Sequence, residues 1–553
     1  MQAVTVTWSE AARDTLGSWK DLRRGAPQNV MAGVTVAFVA LPLNLALAMA
    51  CGLPPAAGIV TGILAGVLAG MFGGAKLQIS GPEVALAPLT YEIVSRHGVK
   101  GLMAATFFAG LCQLVFGALR LGRVVQAIPR PVVGGFLTAV GVLVLDAQLP
   151  RLLGLPADVR LISAVAPHDV LMRADWLSVV LGLAVIVCFV VLPRLHPRAP
   201  GALVGLAVVA SAVALMQVSL PTVGSVAVEG LRVVLPAFGE VDLTALLPEA
   251  IALALLASID TLMSAVSIDS VVKGPKHRAD QELLAQGCAN LVSSLVGGMP
   301  VAGAVVRSMA AVQAGATTRL ASVSHAGALL LMLLVAAPLV ARLPLAGLAG
   351  ILVVVGVRLI NVKDFVFIWK SSRFEALVFV VTAVSILVGD FVGGVATGLV
   401  VSLLHFAVQH SNLGVRALTV KAGIHATALV EIQGPIFFAS HGQLEGLNGH
   451  DAAHPLLLDL RQVPTVDLTG ADAVRGLLQQ LSERSVRLAL VANRPAVTAA
   501  LVDVGVAELL AGGRIYPTVD EALAALQAQP AARPAPPSFQ LTRDEQKNQA
   551  GAA

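Results

Sequence analysis

Long apolar runs separated by short polar segments make up most of the chain. The interval from Gly25 to Ala75 contains no Asp, Glu, Lys or Arg, and its length suits two helices of about 20 residues each. The same pattern continues and predicts fourteen spans, at residues 29–50, 54–73, 83–95, 100–118, 131–149, 174–193, 200–217, 245–271, 281–299, 303–314, 321–341, 343–359, 374–390 and 394–412. The third and tenth are too short to cross a hydrocarbon core of about 30 Å at about 1.5 Å per residue.

Composition places the chain in a membrane. Of its 553 residues 56% are hydrophobic and 13% are charged, and the mean hydropathy is +0.83. One soluble core cannot bury so much apolar surface, because too few polar residues remain to coat it. These values exclude a soluble enzyme, a nucleic-acid binder and a disordered chain, and predict a polytopic protein of the lipid bilayer. The four cysteines lie far apart and no CxxC or HExxH motif occurs, so neither a disulfide framework nor a zinc site is indicated.

The distribution of basic residues predicts the orientation of the chain. Residues 1–28 are polar and basic and precede an apolar run too long for a signal peptide, so we expect an uncleaved cytosolic N-terminal segment. Lys and Arg then cluster in alternate loops, which the positive-inside rule assigns to the cytosol. The loop from Arg151 to Arg173 is an exception, because it is expected outside and yet holds three arginines. Because the number of spans is even, both termini are predicted to be cytosolic, in an inner or plasma membrane.

The character of the chain changes beyond residue 424. The last 130 residues carry 9 Lys and Arg against 13 Asp and Glu, and short apolar strands alternate with helical segments. ATALVEIQG and PIFFAS predict a pair of strands, HPLLLDLRQV and VRLALVAN predict buried strands, and GADAVRGLLQQLSE predicts an amphipathic helix. We therefore expect a soluble α/β domain over residues 424–529 and a disordered tail, rich in Pro, Ala and Gln, over 530–553.

A weak internal repeat links the two short spans. A Gly-Gly pair precedes each of them, at Gly73-Gly74 and Gly297-Gly298, and the segments QISGPEVA and MPVAGAVV follow. Seven spans per half would give the halves opposite membrane orientations, and matching Gly/Pro-interrupted segments indicate a transporter binding site. Two half-helices beginning near the midplane would direct unpaired N–H groups at one cavity, which favours an anion. The alternative is that these segments are ordinary Gly-rich packing motifs.

Several segments resemble one transporter family. ALPLNLALAMACGLPPAAG, FGGAKLQISGP, SIDTLMSAVSID, QELLAQGCANLVSSLVGG and VAGAVVRSMAAVQAGATTRLASVSHAG are similar to segments of the SulP family of anion transporters, in the family's order. The IDxLxS and VVRS patterns are most similar to members grouped with bicarbonate transporters. The resemblance implies an all-α polytopic membrane domain over residues 29–413, a 7+7 inverted repeat with core and gate subdomains, usually homodimeric. The segment DLRQVPTVDLTG resembles a STAS domain, which follows the membrane domain in this family.

Arg307 is the centre of the predicted anion site. It stands near the start of the tenth span, where a cation is costly and opposes the helix dipole unless an anion or an acidic partner is bound. The alternative is a structural ion pair with Asp260 or Glu83. The resemblance places this arginine beside the anion and gives Asn44 a hydrogen bond to substrate. The predicted substrate-binding residues are Asn44, Ser80, Gly81, Glu83, Gly303, Ala304, Val305, Val306 and Arg307.

A second set of residues indicates coupling to a cation. Asp260 lies in the eighth span with Ser264 and Ser267 at i+4 and i+7 on the same face. Oxygen ligands suit a small hard cation, whereas a membrane-embedded carboxylate suits a proton. Resemblance to sodium-coupled bicarbonate members implies a Na⁺ site at Asp260 and Ser264. The alternative is that Asp260 simply neutralises Arg307, and both hold if a bound cation releases Arg307 to the anion.

Glu83 follows Gly81-Pro82, where the family usually has a small or hydroxyl-bearing residue. A carboxylate in a first helical turn is stabilised by the dipole, so a capping role is one interpretation. The other is that Glu83 is proton-linked, because its ionised form would repel the anion unless it pairs with Arg307. This hypothesis predicts pH-dependent transport.

Thr469 matches a residue that is phosphorylated, at a helix N-terminus, in the soluble STAS relatives. The resemblance implies regulation by phosphorylation or by a partner protein at this domain. The alternative is that Thr469 only caps the helix that opens at Gly470.

Together these features predict secondary-active transport of a small anion by alternating access, coupled to Na⁺ or H⁺, with no enzyme activity and no cofactor. Bicarbonate is favoured as substrate, followed by sulfate or a small dicarboxylate. Two alternatives stay open. One is an uncoupled anion exchanger or channel, and the other is a sensor whose STAS domain signals while its membrane part only binds.

Overall fold

The computed structural model describes residues 21–23, 25–126, 128–155, 172–196, 200–217, 220–224, 238–411, 413–422, 425–445 and 454–528, together with residues 17, 19, 159, 235 and 236. Most of the predicted N-terminal segment, most of the loop from Arg151 to Arg173, and the tail predicted to be disordered lie outside these residues. The chain divides into two compact units, Met1–Leu399 and Val400–Ala553, and each is described by itself.

The membrane region consists of helices, most of which coincide with the predicted spans. They are α1 (Ala26–Ala50), α2 (Pro55–Phe72), α3 (Ala87–Ala118), α4 (Gly122–Gln126), α5 (Arg130–Leu152), α6 (Trp176–Leu195), α7 (Gly201–Met216), α8 (Leu243–Val271), α9 (Ala279–Leu295), α10 (Val305–Gln313), α11 (Leu320–Val335), α12 (Ala337–Val340), α13 (Leu345–Leu359), α14 (Val362–Ser371), α15 (Arg373–Val388) and α16 (Phe391–Ser411). Within the described residues, eight helical segments are long and apolar enough to cross a bilayer, and α7 and α11 are shorter apolar helices. The protein is therefore a multi-pass membrane protein.

The two short predicted spans take different forms. The third is joined to the fourth as one helix, α3, which is interrupted at Gly98, where a φ of 67° lies in the left-handed region. The tenth is α10, a helix of nine residues, or about 14 Å at 1.5 Å per residue. Helix α14, in a segment predicted to be a cytosolic loop, is an additional element.

The membrane helices pack as two groups. In one group α1, α2, α3, α8, α9 and α11 contact each other, and in the other α5, α6, α7, α13 and α15 do so. Fewer contacts join the groups, chiefly through α1 with α13 and α7. Two short strands, Ser80–Pro82 and Val301–Gly303, and helix α10 also pack within the first group. The candidate site is therefore built on the helices of this group.

Helix α2 presents a face without side chains to its neighbours. Gly58, Gly62, Gly66 and Gly70 recur every four residues, so they lie on one face. A Cβ at Gly58 would collide with the backbone of α1, and one at Gly70 would collide with Ser322 of α11. Small residues let membrane helices approach closely, and here they bring α1 and α11 together around α2.

The membrane region is mostly helical, as predicted, but it also contains a small sheet that the all-α expectation did not include. Two strands, β1 (Ser80–Pro82) and β2 (Val301–Gly303), pair antiparallel with Gly81 opposite Ala302. Each contains only three residues and is completely buried. Strands this short carry no alternation of polar and apolar residues, so the sequence pattern gave no sign of them.

The C-terminal unit is a mixed α/β fold. A four-stranded sheet has the order β3 (Gly414–Ala422), β4 (His425–Gln433), β5 (Leu456–Gln462) and β6 (Leu488–Val491), antiparallel between β3 and β4 and parallel thereafter. Its helices are α17 (His441–Glu445), α18 (Leu468–Glu483), α19 (Pro495–Asp503) and α20 (Val519–Ala528). Leu458, Leu477 and Leu490 are among the buried residues of its core.

Two details of this unit differ from the sequence prediction. The partner of strand β4 is β3, which begins upstream of residue 424, whereas PIFFAS forms a single bridge at Ile436 and then a 3₁₀ turn. The predicted strand at PIFFAS was therefore wrong, because β3 takes the place beside β4 and pairs with it along its full length. The strands within HPLLLDLRQV and VRLALVAN and the amphipathic helix are confirmed.

A candidate anion site between two short strands

The paired strands set where two helices begin. Strand β1 leads through Glu83 into a 3₁₀ turn, Val84–Leu86, and then α3, whereas β2 leads through Ala304 directly into α10. Because the strands are antiparallel, the helices begin at opposite ends of a sheet about 7 Å long and run apart. Within the described structure neither helix start is capped by a side chain. Both N-termini thus retain free N–H groups and positive dipole ends near the sheet.

Side chains from the surrounding helices hold this small sheet in place. Asn290 accepts from the Val301 N–H at 2.7 Å and donates to the Val301 carbonyl at 3.0 Å. The Thr261 hydroxyl accepts from the Gly303 N–H at 2.9 Å, and Gln286 donates to the Ser80 hydroxyl at 2.6 Å. The sequence pattern did not identify these positioning residues. Their signal was polar side chains inside otherwise apolar spans, which are costly unless they are hydrogen-bonded.

Arg307 is completely buried in the first group of helices. Its Nη2 atom donates to the Pro82 carbonyl and lies 3.7 Å from Oε2 of Glu83. Among the described residues, Nε and Nη1 of Arg307 have no hydrogen-bond partner. A Cβ on Gly81 would collide with Nη1, so only glycine leaves room for the guanidinium here. The arginine is therefore anchored at one nitrogen and has two further donors available.

The carboxylates of Glu83 and Asp260 interact electrostatically with Arg307 and with each other. Oδ2 of Asp260 is buried, and no residue in the described part of the chain hydrogen-bonds to it. With both carboxylates ionised, this cluster would carry one net negative charge, and a proton on either carboxylate would make it neutral. An anion added to that cluster is unfavourable in a buried site unless a proton or a metal cation accompanies it.

Ser264, but not Ser267, joins Asp260 in the buried cluster. Ser264 lies one turn after Asp260 on α8, is fully buried, and has a hydroxyl without a partner among the described residues. The Ser267 hydroxyl instead donates to the Met263 carbonyl at 2.8 Å. Ser267 also lines a separate cavity of about 600 Å³, whose wall includes Asp364. The structure does not bring Ser267 to Asp260, because seven residues place it about 10 Å further along α8.

Asn44, a residue of α1, packs against the glycine face of α2. It is fully buried, and neither amide atom has a hydrogen-bond partner within the described residues. A Cβ at Gly62 would collide with its Nδ2, while Gly62 itself packs against Gly81 of β1. Asn44 and Arg307 therefore lie on either side of the Gly62–Gly81 contact, as two groups with unused hydrogen-bonding atoms.

The other predicted substrate residues have distinct positions. Ser80, Gly81, Gly303 and Ala304 are buried in or next to the sheet, but the Ser80 hydroxyl already accepts the bond from Gln286. Val305 is half-buried in the first turn of α10. The Val306 side chain is 55% exposed within the chain, so it points away from the site and only its backbone N–H contributes to the helix N-terminus.

Thr469 is not the helix cap that one interpretation proposed. Helix α18 begins at Leu468, and its N-cap is Asp467, whose carboxylate accepts from the Gly470 N–H at 2.6 Å. Aspartate is the better cap because its carboxylate also matches the helix dipole. Thr469 lies in the first turn and is exposed.

His325 was also missed by the sequence analysis. It lies on α11, is fully buried, and is within electrostatic range of Arg307. The predicted span 321–341 was recognised by its lack of Asp, Glu, Lys and Arg, a criterion that ignores histidine. Counting ionisable residues of all kinds inside spans would have found it.

Comparisons with known proteins agree with this architecture. The model of the sulfate permease family matches residues 27–382, and that of the STAS domain matches residues 418–522. The chain is 31% identical over 483 residues to YvdB of Bacillus subtilis, a relative named for sulfate transport, covering 83% of this chain and 89% of that one. It is 27% identical over 502 residues to the bicarbonate transporter BicA of Picosynechococcus sp., covering 82% of this chain and 87% of that one.

Solved structures show the same fold. The murine Slc26a9 anion transporter matches with a TM-score of 0.82 at 19% identity, covering 96% of each chain. The transmembrane domain of a cyanobacterial bicarbonate transporter BicA matches with a TM-score of 0.60 at 28% identity, covering 69% of this chain and 98% of that one.

Proposed function

The chain belongs to the sulfate permease family, whose members are transporters and not enzymes, and from that premise we propose that it carries out secondary-active transport of a small anion. Bicarbonate is the favoured substrate, followed by sulfate and small dicarboxylates. Relatives named for bicarbonate and for sulfate both match most of the chain, so family membership alone does not choose between these anions.

The observation that carries the proposal is the buried guanidinium of Arg307 between two helix N-termini. An oxyanion placed there would receive the two unused Arg307 donors and the free N–H groups of the helix starts. Asn44 would contribute its amide from the other side of the Gly62–Gly81 contact. In such a site, positioned N–H donors and helix dipoles would compensate for the hydration shell that the anion loses.

Coupling follows from the charge of the cluster. Glu83 and Asp260 together outweigh Arg307, so anion binding is favoured when a cation enters as well. We assign Na⁺ to Asp260 and Ser264, whose carboxylate and hydroxyl oxygens are the ligands a hard cation prefers, and assign a coupling proton to Glu83. In either case neutralising one carboxylate would release Arg307 to the anion.

Alternating access would arise from movement between the two groups of helices. The site lies on the first group, which corresponds to the core, and the second group would be the gate against which it moves. Because the groups share fewer contacts than each has within itself, their interface is the natural place for movement. We also propose that the protein functions as a homodimer with both termini in the cytosol.

Uptake in proteoliposomes tests the transport proposal. The purified full-length protein is reconstituted, and labelled bicarbonate, sulfate and a dicarboxylate are offered with an inward Na⁺ gradient, an inward H⁺ gradient, or neither. Accumulation above equilibrium under a gradient supports coupled transport. Insensitivity to both gradients would favour an exchanger or channel, and binding without flux would favour a sensor.

Regulation at the STAS domain is proposed through Thr469 or a partner protein that binds there. The exposed hydroxyl in the first turn of α18 is accessible, and a phosphate there would be stabilised by the helix dipole. Mass spectrometry of the protein from its native cells tests this. An unmodified Thr469 under conditions that change transport would contradict regulation by phosphorylation.

A further inference from the structure

His325 is a buried titratable group that the proposed transport site does not use. Its side chain has no exposed surface, and neither Nδ1 nor Nε2 has a hydrogen-bond partner among the residues that the structure describes. Leaving a buried polar atom unsatisfied is costly. A ligand or a water molecule must therefore complete this imidazole for at least part of the transport cycle.

The position of His325 connects it to the anion site. Its ring lies against Gly66, where an added Cβ would be 3.5 Å from Cδ2. One turn further along α11, Leu329 reaches Gly62, and Gly62 contacts Asn44. His325 and Asn44 thus contact two positions on the glycine face of α2, Gly66 and Gly62, that are one helical turn, or about 5.4 Å, apart. Arg307 is close enough to act on the imidazole electrostatically.

The unused atoms of this cluster are not all donors. Arg307 offers N–H donors only, whereas the Asn44 amide and a neutral imidazole each offer a donor and an acceptor. An anion without hydrogen, such as sulfate or nitrate, can satisfy the donors but leaves the acceptors unpaired. Bicarbonate carries two oxygens that share the negative charge and a hydroxyl that donates, so it can satisfy both kinds of group.

We propose that His325 is a substrate-binding residue that accepts a hydrogen bond from the hydroxyl of a monoprotonated oxyanion and thereby selects bicarbonate over unprotonated anions. This inference rests on the proposed function, because it assumes that the anion binds beside Arg307. It adds a residue and a chemical criterion, since selection depends on the substrate hydroxyl and not only on charge or size. Nitrate is the sharpest competitor, because it is planar and monovalent like bicarbonate but has no hydroxyl.

The test uses full-length protein in proteoliposomes at constant pH and zero membrane potential. Labelled bicarbonate uptake is competed with unlabelled bicarbonate or nitrate, for the wild type and for His325→Leu, His325→Gln and the neighbouring control Ser324→Ala. We expect nitrate to compete about tenfold more weakly than bicarbonate in the wild type, which corresponds to about one hydrogen bond. His325→Leu should lose most of this discrimination by raising the KM for bicarbonate about tenfold, while His325→Gln and Ser324→Ala should largely retain it.

Failure of the inference can be separated from failure of the proposed function. Equal competition by nitrate and bicarbonate in the wild type overturns the inference even if His325→Leu does not fold. Bicarbonate uptake with an unchanged competition ratio in a folded His325→Leu also overturns it. If the wild type carries no bicarbonate at all but carries another anion, bicarbonate is removed as the substrate and the inference falls with it, while anion transport itself stands.

Discussion

The two helix starts at the β1–β2 sheet share a frame but differ in charge. Aligned by their strands, GPEVAL and AGAVVR occupy matching places, so Glu83 corresponds to Ala304 and Leu86 to Arg307. The acidic residue lies next to one strand, and the basic residue lies four positions after the other. Their side chains still meet, with 3.7 Å between Arg307 Nη2 and Glu83 Oε2. The paired strands set the geometry of the candidate site, and the side chains that differ between the two halves give it its charges.

Other helix starts make the difference clearer. Asp175 and Asp242 cap α6 and α8 by accepting from two N–H groups each, and their hydrogen bonds hold the pKa of both carboxyls below the usual range. In the described structure α3 and α10 have no such side-chain cap at the sheet. A cap would neutralise the dipole end that an anion needs, so open helix starts at these two places suit a binding role.

Removing Arg307, the basic member of the Arg307–Glu83 pair, should have the largest effect on transport. Arg307→Ala would leave Glu83 and Asp260 without a counter-charge, and an uncompensated buried charge costs about 3–5 kcal/mol. We expect uptake of the preferred anion to fall about 100-fold or more, measured as initial rate in proteoliposomes with equal amounts of folded protein. Arg307→Lys should restore little, because an ammonium cannot reproduce the planar fork of donors.

The matched control for this prediction is Val306→Ala, one residue earlier on α10. Its side chain is largely exposed, so uptake should stay near that of the wild type. Near-normal uptake by Arg307→Ala would instead mean that the helix N-termini hold the anion without the guanidinium, and the charge difference between the two helix starts would then be incidental.

Filling the space at Gly81 should have the next largest effect. A Cβ in Gly81→Ala would collide with Arg307 Nη1, so the guanidinium must move. Even a small displacement of a positioned hydrogen-bond donor lowers the rate of the step that it supports. We expect the rate of uptake to fall by about 10- to 100-fold with the protein still folded. Gly327→Ala on α11 is the control, because within the described structure the added Cβ would have no atom of another element within 4 Å. Equal effects of the two changes would contradict a specific role for the close approach at Gly81.

The sequence predicted helices better than it predicted the contacts between them. Apolar runs locate spans because the bilayer requires long apolar segments, and the paired Gly/Pro interruptions located the two short ones. The β1–β2 pairing was not predictable, since three-residue strands about 220 positions apart leave no periodic pattern. The distinction between Ser264 and Ser267 also required coordinates, because both lie close to one helix face and only the packing decides which is buried.

The same limits apply to single functional residues. Arg307, Glu83 and Asp260 could be selected as charges within spans, and the structure brings them together. His325 escaped notice because neutral histidine does not interrupt an apolar run. In the C-terminal unit, Asp467 and Thr469 are both plausible caps by residue type, and only the hydrogen bond to the Gly470 N–H identifies Asp467.

The coupling cation should distinguish Ser264 from Ser267 on α8. If Na⁺ binds at Asp260 and Ser264, Ser264→Ala removes a hydroxyl ligand and should raise the Na⁺ concentration for half-maximal uptake about fivefold to tenfold, roughly the contribution of one polar contact. Ser267→Ala should leave this value unchanged, because its hydroxyl bonds to Met263. A shift with Ser267→Ala alone would contradict the assignment. If uptake follows a pH gradient and neither serine affects it, the proton and not Na⁺ is the coupling ion.

Replacing Glu83, the acidic member of the Arg307–Glu83 pair, should have the smallest effect, and we expect it as a change in the pH dependence of uptake. Ionised Glu83 competes with the substrate for Arg307 and repels it, so uptake should rise as the pH falls and Glu83 takes up a proton. Glu83→Gln mimics the protonated form and should flatten this profile while keeping uptake near its low-pH level. Bicarbonate concentration must be held constant across the pH range, because its own protonation would otherwise imitate the effect.

Glu92→Gln is the control for this change, because Glu92 lies on α3, nine residues after Glu83, and pairs with Arg96 at 2.5 Å instead of with Arg307. It should therefore leave the pH profile intact. An unchanged profile in Glu83→Gln would make Glu83 a structural partner of Arg307 and leave Asp260 as the remaining carboxylate able to titrate. The charge difference between the two helix starts would then serve stability alone, and any coupling would lie with α8.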